Sequence, residues 1–295
     1  FSILLVIGGF LGYTQYRTRA IKKENKILEA KVAERTKELH EKNLDIMASI
    51  NYAKRIQEAM LPARDQIFMK FEKVFILYRP KDIVSGDFYW FGEKNGVRIF
   101  AAIDCTGHGV PGAFMSMIGH NQLNQIVMEK GITEPGEILN HLHRGIQAAL
   151  RQGHNEISTN DGMDCSLLAL DEKGEAQWAG ANRPLVMVAP NSEFSRLEGD
   201  KFPVGGAQAH VDRVFTTHQV NAVKGTMAYM FSDGYADQFG GEKGKKFMVK
   251  KLHETLIAIH LSAPEQQRDE LERRFLEWMH QHEQVDDVLV VGIGL

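Results

Sequence analysis

Short apolar runs joined by tight turns make up most of the chain after residue 70, and they restrict the folds open to it. Triplets such as Lys94-Asn95-Gly96 and Glu172-Lys173-Gly174 join neighbouring runs. Two strands joined by so short a turn pair as an antiparallel hairpin, whereas a parallel pair needs a long crossover. The pattern predicts strands at residues 74–78, 87–91, 97–103, 166–170, 176–179, 185–188, 227–231 and 288–291.

Helix-like sequence is concentrated in two blocks rather than after every strand. The predicted helices cover residues 113–129 and 135–151 in the first block, and 247–259 and 264–281 in the second. Helices that come in separate blocks cover the faces of antiparallel sheets instead of connecting parallel strands. The sequence therefore predicts an α+β fold in which helical layers cover a β-sandwich.

The chain before residue 62 has a different pattern. Residues 20–60 contain no glycine and no proline, and apolar residues recur every seven positions, at Val32, Leu39, Ile46, Ala53 and Met60. This repeat is typical of a coiled coil, and we predict an imperfect coiled-coil linker over residues 17–62 that joins two chains as a parallel homodimer. A single amphipathic helix packed on its own domain is the alternative. Pro62 is expected to end the helix in either case.

The first residues are apolar and carry no charge up to position 13, and several basic residues follow between positions 17 and 26. The apolar run is shorter than the ~20 residues that span a bilayer. Positive charge after such a run marks the cytoplasmic side. We predict that residues 1–16 are the end of a truncated transmembrane helix, with the rest of the chain at the cytoplasmic face of the inner or plasma membrane. A buried helix is the alternative.

Charge and cysteine content exclude several classes of function. The formal net charge is −3, which gives no electrostatic basis for binding nucleic acid. The two cysteines, Cys105 and Cys165, do not form a CxxC pair, so neither a thiolate zinc site nor a disulfide framework is expected.

Acidic residues stand at the ends of several predicted strands. They are Asp87, Asp104, Asp233, and the pair Asp286 and Asp287. Any one of them alone is most simply a turn-forming residue. Carboxylates are also the ligands that Mg²⁺ and Mn²⁺ prefer, and strand ends that meet at one edge of a sandwich would bring several together. Together they predict a hydrolytic site that uses two divalent cations to activate water.

Three nearby residues are weaker candidates. His108 lies between two glycines after Asp104, where it could act as a general acid, contact phosphate, or only shape the loop. Asp161 and Asp164 could bind a third, weaker cation, although turn formation and strand entry explain them as well.

The ordered set of motifs resembles the SpoIIE/RsbU branch of the PPM-type protein phosphatases. The motifs are SGDFY at residues 85–89, DCTGHG at 104–109, FSDG at 231–234 and the pair DD at 286–287. Connecting segments are also similar to this family: QEAMLP at residues 57–62, GANRP at 180–184 and FPVGG at 202–206. The resemblance implies a four-layer αββα sandwich over residues 63–295, with two Mn²⁺ or Mg²⁺ ions at one edge.

The resemblance also implies roles for individual residues. Asp104 would bridge the two ions, and the backbone carbonyl of Cys105 would bind one of them. Asp87, Asp233 and Asp286 would be further ligands, with Asp287 as the less favoured choice for the last one. Asp104 and Asp233 would act in catalysis through a metal-activated water, without a covalent phosphoenzyme.

The implied function is hydrolysis of phosphoserine or phosphothreonine on a partner protein, and the family suggests an anti-sigma-factor antagonist as that partner. In relatives the helix before the domain has a switching role, which would fall here on Ala53, Ile56 and Met60. Two other functions remain open: a catalytically inactive phosphatase fold used as a binding module, and a histidine kinase fragment. A kinase is disfavoured because no phosphoacceptor helix followed by a nucleotide-binding box is present.

Overall fold

The computed structural model describes residues 2–152, 160–206 and 213–295. The helices are α1 (Ser2–Met60), α2 (Arg64–Phe68), α3 (Gly109–Leu123), a π-helical turn (Asn124–Glu129), α4 (Pro135–Ala149), α5 (Gly234–Asp237), α6 (Val249–Ile259) and α7 (Pro264–Met279). The strands are β1 (Val74–Arg79), β2 (Phe88–Lys94), β3 (Val97–Cys105), β4 (Gly162–Leu170), β5 (Ala176–Ala181), β6 (Leu185–Val188), β7 (Phe194–Leu197), β8 (Val204–Gly205), β9 (His218–Val220), β10 (Met227–Phe231), β11 (Phe239–Gly240), β12 (Lys245–Lys246) and β13 (Val288–Gly294).

Most strands belong to two antiparallel sheets. The first sheet has the order β1-β13-β10-β6-β7, and the second has the order β2-β3-β4-β5-β9 with β8 paired to β4. Strands β11 and β12 form a separate short ribbon. Every pairing between these strands is antiparallel, as the tight turns predicted.

Three apolar cores define four layers. One core lies between the two sheets, where Phe100 and Trp178 of the second sheet meet Leu289 of the first. A second core packs α3 and α4 on the outer face of the second sheet, and a third packs α6 and α7 on the outer face of the first. The predicted α+β fold, an αββα sandwich, is confirmed.

The predicted elements are present with small shifts at their ends, and several short ones were missed. Strand β2 begins at Phe88, one residue after the predicted start, and α3 begins at Gly109 rather than at residue 113. The end of the predicted helix 113–129 is a π-helical turn. Strands of two to four residues, such as β8, β9 and β12, have too few positions for an apolar period to be visible.

Helix α1 contains 59 residues and ends two residues before Pro62. The chain divides into two compact units, residues 1–52 and residues 53–295. In the first unit the seam residues Val32, Leu39 and Ile46 are exposed by 58%, 68% and 58%. Among the described residues, no helix is long and apolar enough to cross a membrane. The membrane, coiled-coil and dimer assignments of residues 1–62 stay predictions.

Candidate active site

Strand pairing brings the predicted aspartates to one edge of the sandwich. Asp104, at the end of β3, is the direct partner of Asp164 on β4. Asp87 precedes β2, whose first residue, Phe88, pairs with Ile103 of β3, so Asp87 also lies beside Asp104. In the other sheet β10 and β13 are antiparallel, and the end of β10 therefore adjoins the start of β13. Asp233 follows the end of β10, and the Asp286-Asp287 pair precedes the start of β13.

An open cleft of about 230 Å³ lies at this edge, and Asp87 and Asp287 are buried and are not on its wall. Its wall includes the predicted residues Asp104, Cys105, His108, Asp164, Asp233 and Asp286, together with Thr106, Gly107 and Arg183. The thiol of Cys105 is buried in the core between the second sheet and its helices, and burial raises the pKa of this thiol. The backbone of Cys105 is therefore the part of the residue that faces the cleft.

Glycines allow the loops around the cleft to approach each other. A Cβ atom on Gly86 or on Gly112 would collide with the backbone carbonyl oxygen of Gly107. The turn before Asp87, the loop after Asp104 and the first turns of α3 are thus in direct backbone contact. A Cβ on Gly234 would in the same way collide with the carbonyl oxygen of Asp287. Side chains at these positions would push the acidic residues apart.

Asp87 is a buried carboxylate without a full set of partners. Its side chain is 3% exposed, and its Oδ2 atom has no hydrogen-bond partner. Burial raises the pKa of Asp87 well above its usual range, the nearby charge of Asp104 raises it further, and a hydrogen bond from Ser232 opposes the rise. A buried carboxylate oxygen that accepts no hydrogen bond is costly unless another cation or donor satisfies it.

Asp104 lies among charges of both signs. Burial raises the pKa of Asp104 to about 7; Arg183 opposes this rise, whereas Asp233 and Asp164 add to it. Arg183 donates from Nη2 to Asp104 Oδ2 at 2.6 Å and to Asp233 Oδ2 at 2.8 Å. The same nitrogen is 3.3 Å from Asp164 Oδ2. The cleft wall therefore carries more carboxyl groups than Arg183 alone can neutralise.

The two residues of the acidic pair before β13 have different environments. Asp286 faces the cleft. Asp287 is 2% exposed and accepts hydrogen bonds from the backbone N–H groups of Lys81 and Gly86, both at 2.7 Å. Asp287 therefore holds the loop that leads to Asp87, and Asp286 is the member of the pair whose carboxylate is available in the cleft.

Of the three weaker candidates, His108 and Asp164 are on the cleft wall and Asp161 is not. Asp82 Oδ2 accepts from Nδ1 of His108 at 2.7 Å, and Lys81 Nζ lies 3.0 Å from His108 Nε2. Asp164 is on the cleft wall, where its Oδ1 accepts from Asn182 at 2.8 Å. Asp161 is not on that wall; its backbone carbonyl accepts from the Gln152 side chain at 2.6 Å. The structure does not bring Asp161 and Asp164 together in the cleft.

Two residues with clear roles at the site were not singled out from the sequence. Arg183 is one, and its signal was that it is the only charged residue between positions 176 and 192. Gln57 of α1 is the other: it is 6% exposed, and its amide accepts from the N–H of Ser85 and donates to the carbonyl of Ser85. Its signal was a polar residue four positions after Ala53, on the apolar face of the helix.

The donor set fits divalent cations. Carboxylates of Asp87, Asp104, Asp233 and Asp286 and a backbone carbonyl are oxygen ligands of the kind that Mg²⁺ and Mn²⁺ take, and the unpartnered Asp87 Oδ2 is the atom that most needs a cation. Within the described residues, no three His, Cys, Asp or Glu side chains are already oriented to hold an ion. Two of these carboxylates, those of Asp104 and Asp233, are instead directed at Arg183, as is Asp164.

Comparison with known families and structures shows relatives over most of the chain. The family model of stage II sporulation protein E (SpoIIE) matches residues 94–295. The SiaA-PP2C domain of Pseudomonas aeruginosa is 28% identical, with a TM-score of 0.77, over 86% of this chain and 98% of that domain. No curated protein matches the sequence.

Two more distant structures share the fold. The PP2C domain and regulatory fragment of SpoIIE from Bacillus subtilis are 19% identical with a TM-score of 0.58, over 76% of this chain and 63% of that one. The RsbU and RsbW domains of Rv1364c from Mycobacterium tuberculosis are 18% identical with a TM-score of 0.58, over 75% of this chain and 59% of that one. Because the SpoIIE model matches more than half of the sequence, and the SiaA domain shares its fold over nearly its whole length, this chain belongs to the SpoIIE family of PPM-type phosphatases.

Proposed function

We propose that the chain is a serine/threonine protein phosphatase that uses two Mn²⁺ or Mg²⁺ ions to hydrolyse phosphoserine or phosphothreonine on a partner protein. The observation that carries this proposal is the buried carboxylate of Asp87, whose Oδ2 atom has no hydrogen-bond partner, beside Asp104. Two neighbouring carboxyl groups with raised pKa values form a stable arrangement when cations neutralise them. The membership of the SpoIIE family supports the same reading.

The acidic residues at this edge have different roles in the proposed reaction. Asp87, Asp104, Asp233, Asp286 and the carbonyl of Cys105 would hold the two ions. When bound, the ions supply an activated water and neutralise the charge that develops on the phosphoryl group. Asp287 fixes the loop that carries Asp87, through the backbone N–H groups of that loop.

His108 would serve the leaving group. Its Nδ1 is held by Asp82 at 2.7 Å, which orients the ring at the cleft wall. A protonated imidazole held in this way can give its Nε2 proton to the serine or threonine oxygen as the phosphorus–oxygen bond breaks. Lys81 Nζ, 3.0 Å from Nε2, would have to move away for this transfer.

The test is hydrolysis of p-nitrophenyl phosphate and of phosphopeptides with Mn²⁺, with Mg²⁺ and with EDTA. Substitution of a group that only supports a metal ligand typically lowers metal affinity or activity by about 10- to 100-fold. Asp104 and Asp233 would be ligands themselves, so Asp104→Asn and Asp233→Asn are expected to lower turnover by about 100-fold or more. Asp269→Asn is the matched control, since Asp269 pairs with Arg268 on the exposed face of α7. Full activity in both cleft variants would refute the proposal. Metal binding without hydrolysis of any substrate would indicate a binding module instead.

The proposed substrate is a phosphorylated protein of the anti-sigma-factor antagonist type, by analogy with the RsbU/SpoIIE branch. We propose that residues 1–16 attach the protein to the cytoplasmic face of the inner or plasma membrane, and that the linker helix joins two chains. Comparison of full-length protein in membrane and soluble fractions tests the attachment. A purified, phosphorylated antagonist tests the substrate: release of its phosphate at a rate no higher than that of p-nitrophenyl phosphate would argue against it.

We further propose that α1 sets the activity of the domain. Ile56 is 38% exposed, whereas Met60 lines a small cavity with Gln57 and with Ser116 of α3. A rotation of α1 would change these contacts and, through Gln57, the turn before Asp87. Charged substitutions at Ala53 or Met60 are expected to change turnover without changing the affinity for Mn²⁺. Unchanged turnover in a proven dimer would argue against this form of control.

A further inference from the structure

Arg183 occupies the centre of the acidic cleft. It lies in the connection between β5 of the second sheet and β6 of the first. Its Nη2 atom is 2.6 Å from Asp104, 2.8 Å from Asp233 and 3.3 Å from Asp164. Its side chain is only 16% exposed, and the side chains of Asp104 and Asp164 are mostly buried as well, so these two pairs are not the weak ion pairs of a protein surface.

The backbone and a neighbouring side chain hold Arg183 in this position. Asn182 adopts a left-handed conformation with φ of 56°, which turns the chain sharply before Arg183. Asn182 also donates to Asp164 Oδ1, and thereby orients the same carboxylate that Arg183 approaches through Oδ2. The Nε atom of Arg183 is buried and has no hydrogen-bond partner. The guanidinium therefore pairs with the carboxylates through Nη2 while its buried Nε–H group donates no hydrogen bond.

Arg183 contacts two of the carboxylates that divalent cations would use, through Oδ2 of Asp104 and Oδ2 of Asp233. A Mg²⁺ ion binds carboxylate oxygens at ~2.1 Å, well inside the distance that Nη2 keeps from them. A guanidinium and a divalent ion also repel each other, and the buried position leaves little water to screen them. The contacts of Asp104 and Asp233 with Arg183 therefore oppose their contacts with the ions.

We propose that Arg183 is an internal competitor of the divalent ions: it neutralises Asp104, Asp233 and Asp164 until the ions displace it, and so sets the affinity of the site for metal. The inference rests on the proposed function, which takes Asp104 and Asp233 as ligands. For ions that bind only after a side chain leaves, the apparent dissociation constant is the intrinsic one divided by the fraction of molecules in which that side chain has left. Arg183 thus raises the concentration of metal ion that is needed to fill the site.

The test compares Mn²⁺ binding to the full-length chain and to its Arg183→Gln variant by calorimetry at one fixed pH. Glutamine retains a polar side chain but carries no charge. The variant is expected to bind Mn²⁺ at least about tenfold more tightly, which corresponds to ~1.4 kcal/mol. Arg196→Gln is the matched control, because Arg196 forms an exposed pair with Glu198 and is not on the cleft wall; it should bind Mn²⁺ as the unaltered chain does.

A second readout is thermal stability. In EDTA the Arg183→Gln variant is expected to have a lower Tm than the unaltered chain, since three carboxylates lose their cation, and saturating Mn²⁺ should remove this difference. Arg183→Lys keeps the charge and should bind Mn²⁺ less tightly than Arg183→Gln. If the glutamine variant does not fold, chemical labelling of the unaltered chain with phenylglyoxal decides the matter: Mn²⁺ should increase the labelling of Arg183.

Equal or weaker Mn²⁺ binding by Arg183→Gln, or labelling that Mn²⁺ leaves unchanged, would overturn the competition. In that case the proposed phosphatase activity would still stand if the unaltered chain bound and used Mn²⁺. Absence of Mn²⁺ binding in both proteins would overturn the competition and the two-metal reading together. Binding by the variant alone would be the strongest support for competition.

Discussion

Asp104 has the most demanding environment of any single residue in the cleft. Burial raises its pKa to about 7, far above the ~3.9 of a free aspartate. A carboxyl group must lose its proton before it can bind a metal ion. The folded protein without bound ions therefore holds a proton on Asp104 over part of the physiological pH range.

A pH dependence of metal binding follows from this pKa. Mn²⁺ affinity is expected to rise from pH 6 to pH 8, because the proton on Asp104 competes with the ion below pH 7 and is absent above it. Calorimetry at pH 6, 7 and 8 in buffers of different ionisation enthalpy measures both the affinity and the proton released. A flat affinity with no proton release would contradict the assignment of Asp104 as a ligand.

Substitutions of Asp287 and Asp286 are expected to affect different properties, the first stability and the second metal binding. Asp287→Ala leaves two inward-facing N–H groups, those of Lys81 and Gly86, without their acceptor, and is expected to lower the free energy of unfolding by roughly 3 kcal/mol. Asp286→Ala removes a cleft carboxylate and should weaken Mn²⁺ binding with a much smaller loss of stability. Urea unfolding and Mn²⁺ titration of both variants separate the two roles. The reverse pattern would exchange the assignments.

At the scale of secondary-structure elements, the end of α1 makes a buried polar contact with the domain through Gln57. Gln57 bonds to both backbone groups of Ser85 and to the hydroxyl of Ser116 on α3. The helix thereby contacts the turn before Asp87 and the helix that follows the Asp104 loop. The family resemblance implied a switching role for Ala53, Ile56 and Met60, and Gln57 lies between the last two of these in the sequence.

Gln57→Leu tests this contact with little change in side-chain volume. The buried N–H and carbonyl of Ser85 would lose their partners, so we expect the free energy of unfolding to fall by about 2 kcal/mol and turnover to fall as the Asp87 turn loosens. Glu58→Ala, at an exposed neighbouring position, is the control. The expectation fails if Gln57→Leu unfolds and turns over substrate as the control does.

At the scale of the whole molecule, the two compact units differ in how their apolar residues are covered. The unit of residues 53–295 contains the three cores of the sandwich, whereas in residues 1–52 large apolar side chains such as Leu39 and Ile46 are exposed. A row of exposed apolar residues spaced by seven is the pattern that a second helix covers in a coiled coil.

A substitution in this row tests the proposed dimer. Leu39→Glu combined with Ile46→Glu places like charges on a seam that two chains would share, and is expected to raise the dimer dissociation constant by at least about tenfold, or ~1.4 kcal/mol. Ala33→Glu, off the seam, is the control. Sedimentation velocity over a range of concentrations measures the effect. A protein that is monomeric before any substitution would remove the basis for the dimer.

The sequence alone determined the local features of this protein: the hairpins, the long helix that ends before Pro62, the order of the acidic motifs, and hence the family and the αββα fold. These depend on period, turn residues and spacing, which are legible over a few positions. Only the tertiary structure decided that Arg183 faces Asp104, 79 positions away, and that Asp287 holds Gly86, 201 positions away. Such contacts depend on how strands of the two sheets are aligned, and a pattern over a few neighbouring residues does not contain that alignment.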